Sequence, residues 1–147
     1  AIKILKGEKI IDQADIDIDI GIYGFIPEEI IPQAELRLSI YKEISSIKEN
    51  KNLEQNKKDF IDRFGDVTSE ITNLYELSKL KNIARKLNIL SIKYRDENFS
   101  LKLADDSRLI PPSSKIREIK VNAKDIKSDR LTFIMSKLES FLEKNEI

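Results

Sequence analysis

The side chains whose spacing could support chemistry are nearly all acidic. Asp15, Asp17 and Asp19 begin like a calcium-binding loop, in which alternate carboxylates converge on a hard cation. That loop also requires glycine at its sixth position, for a sharp turn, and glutamate at its twelfth, for bidentate ligation. This chain has Ile20 and Ile26 there, so the three aspartates read as the solvated side of a strand. With 26 Asp and Glu residues in all, carboxylate pairs arise by chance, and a glycosidase-type acid/base pair has no specific support. Glycine at only positions 7, 21, 24 and 65 leaves no loop able to cradle a phosphate. The chain has neither Cys nor His. That removes disulfides, zinc sites built on sulfur or imidazole, haem ligation, cysteine nucleophiles and Ser-His-Asp arrangements. No catalytic, cofactor or metal site is expected.

Two charged clusters remain. Lys79, Lys81, Arg85 and Lys86 fall in one helical segment, but only Lys79 and Lys86 align, and the 26 Lys and Arg residues balance the acids to a net charge of zero. A nucleic-acid groove needs a stronger positive field, so these read as a solvated helix face. The second cluster lies in Asp59-Phe60-Ile61-Asp62-Arg63-Phe64-Gly65. Phe60, Ile61 and Phe64 point to one side, and Asp59, Asp62 and Arg63, spaced i, i+3 and i+4, share the other. On physics alone this triplet reads as an internal Asp59–Arg63 ion pair, worth on the order of tenths of a kcal/mol at a surface.

The elements that must carry these residues follow from periodicity. Alternation of Asp15, Asp17 and Asp19 with Ile16, Ile18 and Ile20 predicts a half-buried strand near 15–20. An ordered loop punctuated by Gly21, Gly24, Pro27 and Pro32 leads into a helix over about 33–48, with Leu36, Ile40, Ile44 and Ile47 on one stripe. The polar run from Glu49 to Asn52 should break it. A second helix is expected over about 53–64, with Leu53, Phe60, Ile61 and Phe64 on one face and Gly65 supplying a left-handed stop. A third, over about 69–87, is capped by Thr68 or Ser69 and closed by Asn88. Strands near 89–95 and 99–104 flank a turn at Asp96, Glu97 and Asn98. Ile116, Ile119 and Val121 fit strand or helix. Leu131–Met135 is rich in β-formers and is expected as a strand, followed by a C-terminal helix over Lys137–Lys144. Helices grouped between strands predict an α+β fold with a small, mainly antiparallel sheet.

At 147 residues, 40% hydrophobic and 35% charged, the chain suits one globular domain, 15–147. No run of 18 apolar residues and no basic-then-apolar opening occurs, so neither a membrane span nor a secretory signal is expected, and a cytoplasmic location is the default. The first residue is Ala1, and Ile2–Ile11 reads like the middle of a longer protein.

Taken in order, Ile4-Leu5-Lys6-Gly7, Tyr23 to Pro32 (YGFIPEEIIP), Glu35 to Ile44 (ELRLSIYKEI, with Glu35, Arg37 and Tyr41), Asp62 to Gly65 (DRFG) and Asn73 to Leu87 (NLYELSKLKNIARKL) resemble the C-terminal domain of the bacterial transcription-repair-coupling factor family. The resemblance covers about residues 2–104. Thr68 stands where the family usually has proline, and Asn88 where it has glycine; Thr can cap a helix and Asn tolerates a left-handed conformation. The resemblance implies a noncatalytic domain of an ATP-driven DNA translocase that displaces stalled RNA polymerase and recruits nucleotide excision repair through UvrA. It implies that this domain packs on the N-terminal UvrA-binding module of its own polypeptide, masking that module and restraining the motor. The helix ending in DRFG, with Phe64 and Gly65 as its structural end, would then bring Asp59, Asp62 and Arg63 to that contact, and residues 1–14 would be the linker from the motor. The expected partners are that module and, through the parent, UvrA, RNA polymerase and DNA, with the fragment itself a monomer that needs no cofactor. Two other readings stand beside it: a stand-alone scaffold or oligomerisation module using Leu36, Ile40 and the third helix, and a small carboxylate-based hydrolase.

Overall fold

A computed structural model of the chain describes residues 16–65, 67–107, 109, 115–126 and 128–144. The elements in chain order are β1 (Asp17–Asp19), α1 (Ala34–Ser46), α2 (Asn50–Phe64), α3 (Ser69–Lys86), β2 (Ile89–Arg95), β3 (Asn98–Leu103), β4 (Glu118–Asn122) and α4 (Arg130–Lys144). This is an α+β arrangement of four helices and one four-stranded sheet among the described residues. Two compact units result, one of Gly21–Ile83 and one of the described residues up to Ile20 together with those from Ala84 on. The N-terminal linker expected over 1–14 lies outside the described residues.

The first unit is helical. Its core joins Ile26 and Ile31 from the loop, Ile40 and Ile44 from α1, Leu53 and Phe60 from α2, and Ile71 and Tyr75 from α3, all buried. The Phe60 ring lies 4.8 Å from Phe64 and meets Tyr75 edge-on at 6.5 Å, a geometry that adds to plain burial. Ile61, expected on this face, is 38% exposed, because its position falls about a quarter turn away from Phe60 and Phe64. α2 also begins at Asn50 rather than near residue 53. The polar run interrupts the apolar stripe, but its backbone still closes, with the Asn52 N–H donating to Glu49 O at 3.0 Å. Asn82, 4% exposed, donates to Ile47 O at 3.0 Å and to Asn50 Oδ1 at 3.1 Å. It thereby satisfies a carbonyl left over at the end of α1.

Helix ends follow local chemistry. Gly65 caps α2 at φ 89°, with its N–H donating to Ile61 O at 2.8 Å. Thr68 Oγ1 accepts from the Ile71 N–H at 3.3 Å, which settles the cap of α3 on Thr68. Hydrogen bonds from Ser69 and Thr68 hold the Glu70 carboxyl below its ordinary value. Asn88 follows α3 at φ 55°, the left-handed stop expected of it.

The second unit is the sheet in the order β1-β2-β3-β4, with β1 parallel to β2 and the other pairs antiparallel. Asp96 and Glu97 form a two-residue hairpin turn with φ of 51° and 63°, the signs of a type I′ turn. Neither is the Gly that favours it, and neighbours hold it: the Ala123 N–H donates to Glu97 O at 2.8 Å and Asn98 Nδ2 to Asp96 O at 3.0 Å. The ambiguous Ile119 and Val121 belong to strand β4, opposite Leu101 and Phe99.

Leu131–Met135, expected as a strand, is instead the first part of α4. Asp129 caps it through the Thr132 N–H at 2.9 Å and the Thr132 hydroxyl at 3.0 Å. Buried Leu131, Ile134 and Leu138 keep helical spacing through the segment, and Phe133 stacks on Phe99 with centroids 5.8 Å apart. Cap and period together override the β-propensity of Thr, Phe and Ile.

Candidate interaction surface on the helical unit

Asp59, Asp62 and Arg63 lie in the last two turns of α2, and all three are exposed. The Asp59–Arg63 ion pair does not form among the described residues. Asp59 Oδ1 instead accepts from Gln55 Nε2 at 3.0 Å, one turn back on the same helix. The Arg63 guanidinium rests over the Phe64 ring, 4.8 Å from its centroid, a weak attraction at an exposed site. Both charges therefore keep most of their capacity for an external partner.

Asp59, Arg63 and Phe64 border one shallow hollow between α1 and α2, whose other walls are Ile40, Glu43, Asn56 and Phe60. Asp62 stands on the same helix outside it. Behind the hollow, the Tyr75 hydroxyl donates to Asn56 Oδ1 at 2.6 Å, and Asn56 Nδ2 donates to Glu43 Oε2 at 2.5 Å. This relay ties α3, α2 and α1 together. Burial, and then the carboxylates of Glu43 and Asp59, push the Tyr75 hydroxyl up to about 12, so at neutral pH it keeps its proton and remains the donor. Glu43 and Asn56 were missed as surface candidates, although Asn56 sits three and seven residues before Asp59 and Arg63, the spacing of one helical stripe.

The other motif residues do a different job. Arg37 Nη1 donates to Ile31 O at 2.8 Å and Pro32 O at 3.0 Å, and Tyr41 OH accepts from the Ile26 N–H at 2.7 Å. Both fasten the loop before α1. Glu35 is exposed in the first turn of α1, where a negative charge complements the helix dipole. Leu36 and Ile40, the face a scaffold would use, pack into the core.

Elsewhere the charges are partnered or dispersed. Lys79, expected on a solvated face, is 16% exposed and held between Glu54 and Glu76. Asp17 lies 3.7 Å from Lys93, as suits a wet strand face, and Asp15 lies outside the described residues. No group of three or more potential metal ligands occurs among the described residues, and no described helix is long and apolar enough to cross a membrane.

With that geometry in place, similarity to known proteins is specific. The TRCF domain family matches over residues 20–114. The transcription-repair-coupling factor of Rickettsia conorii is 30% identical over 139 residues, 93% of this chain and 12% of that protein. The one from Escherichia coli is 28% identical over 95 residues, 65% of this chain and 8% of that protein. The chain thus spans about a tenth of the length of the curated relatives it matches. A crystal structure of the C-terminal domain of a transcription-repair coupling factor superposes with a TM-score of 0.73 at 19% identity, covering 90% of this chain and 97% of that one. Matched by that family over most of its length, the chain belongs to the TRCF domain family, and it shares the fold of the C-terminal domain of a transcription-repair coupling factor.

Proposed function

We propose that this domain is a noncatalytic, autoinhibitory clamp within an ATP-dependent DNA translocase. The parent displaces stalled RNA polymerase in the cytoplasm and recruits nucleotide excision repair through UvrA. The domain, joined to the motor by a linker over residues 1–14, is a monomer that covers the N-terminal UvrA-binding module of its own polypeptide and restrains the motor. Asp59, Asp62 and Arg63 form the contact. The observation that carries this reading is that the triplet is exposed and makes no ion pair within itself, so its charges are available to a partner while Phe60, Phe64 and Tyr75 stabilise the helix beneath. Intramolecular contacts of this kind are modest and polar, which suits a clamp that must open.

The test replaces Asp59, Asp62 and Arg63 by Ala. The isolated domain should melt as before, because exposed charges contribute little to folding. In the full-length protein each lost charge-assisted contact weakens the clamp by roughly 1–3 kcal/mol. Resting ATPase activity and UvrA affinity should then rise several-fold or more. If neither rises while the domain still folds, the triplet is only a solvated helix face.

A further inference from the structure

We draw no further inference here: the strongest candidate, the outer edge of strand β4 at the end of the sheet, where Glu118, Lys120 and Asn122 are exposed, carries nothing because nothing in the structure shows what covers it.

Discussion

Gly24→Ala should destabilise the helical unit out of proportion to one added methyl group. The new Cβ would meet Leu74 N at 2.3 Å, Leu74 Cα at 2.4 Å and Asn73 C at 2.8 Å. All three are backbone atoms inside α3, so nothing can swing aside and the loop must retreat by about an ångström. That movement breaks the hydrogen bonds from the Phe25 N–H to Glu70 O and from Asn73 Nδ2 to Tyr23 O, already 3.2 and 3.3 Å long. Two such bonds are worth about 1 kcal/mol each, and forced overpacking adds roughly 1–3 kcal/mol. The expected loss is about 3–5 kcal/mol, which at this chain length lowers the melting temperature by roughly 10–15 °C. Urea denaturation followed by the helical circular-dichroism signal measures it. Because the clash is with backbone, adding Leu74→Ala should not restore stability. An unchanged midpoint for Gly24→Ala would mean that the loop does not rest on α3. Rescue by Leu74→Ala would mean that the contact is made by side chains.

Gly65 offers the opposite case, with φ at 89° and nothing within 4 Å of an added Cβ. Gly65→Ala should cost roughly 1–3 kcal/mol from backbone strain alone, and Gly65→Val more, since a β-branched residue is least tolerated at positive φ; an unchanged urea midpoint for both would contradict that cause. Asp129→Ala should cost about 1 kcal/mol by removing the cap of α4. Hydrogen bonding, first from the Thr132 N–H, holds the Asp129 carboxyl below its ordinary value; its stabilisation is therefore complete above the unfolded carboxyl's pKa and is lost as pH falls through the lower folded value. A denaturation series in acid should show the wild-type advantage over Asp129→Ala shrinking on the way down, and an advantage that grew instead would reverse the assignment.

What the sequence makes legible here is the local chemistry of stopping and starting. Gly65, Thr68 and Asn88 sit where a left-handed backbone or a side-chain oxygen is needed, and each requirement is met within four residues along the chain. Sustained stripes are equally plain, which is why α1 and α3 fall close to their expected bounds. Leu131–Met135 fails for a matching reason. Its composition favours a strand, but the Asp129 cap and the helical spacing of Leu131, Ile134 and Leu138 outweigh that composition, and Phe133 then stacks on Phe99. β4 is a strand only because β3 lies beside it.

The candidate surfaces were harder to read because each depends on residues far apart in the chain. Asp59 and Arg63 are visible as a helical pair, but whether they neutralise each other turns on Gln55 and Phe64, which compete for them. The hollow they border needs Glu43 from another helix, thirteen residues from its Asn56 partner. Tyr23 and Phe25 fall in the loop expected between Gly21 and Pro32, and their exposure depends on Gly24, which lets that loop settle against α3, fifty residues later. In this unit the buried rings of Phe60 and Tyr75 and the glycine contact carry the stability, which leaves the exposed charges and aromatics free to vary without unfolding it. That separation makes the surface variants informative: loss of clamping in a protein that melts normally reports on contact rather than on folding.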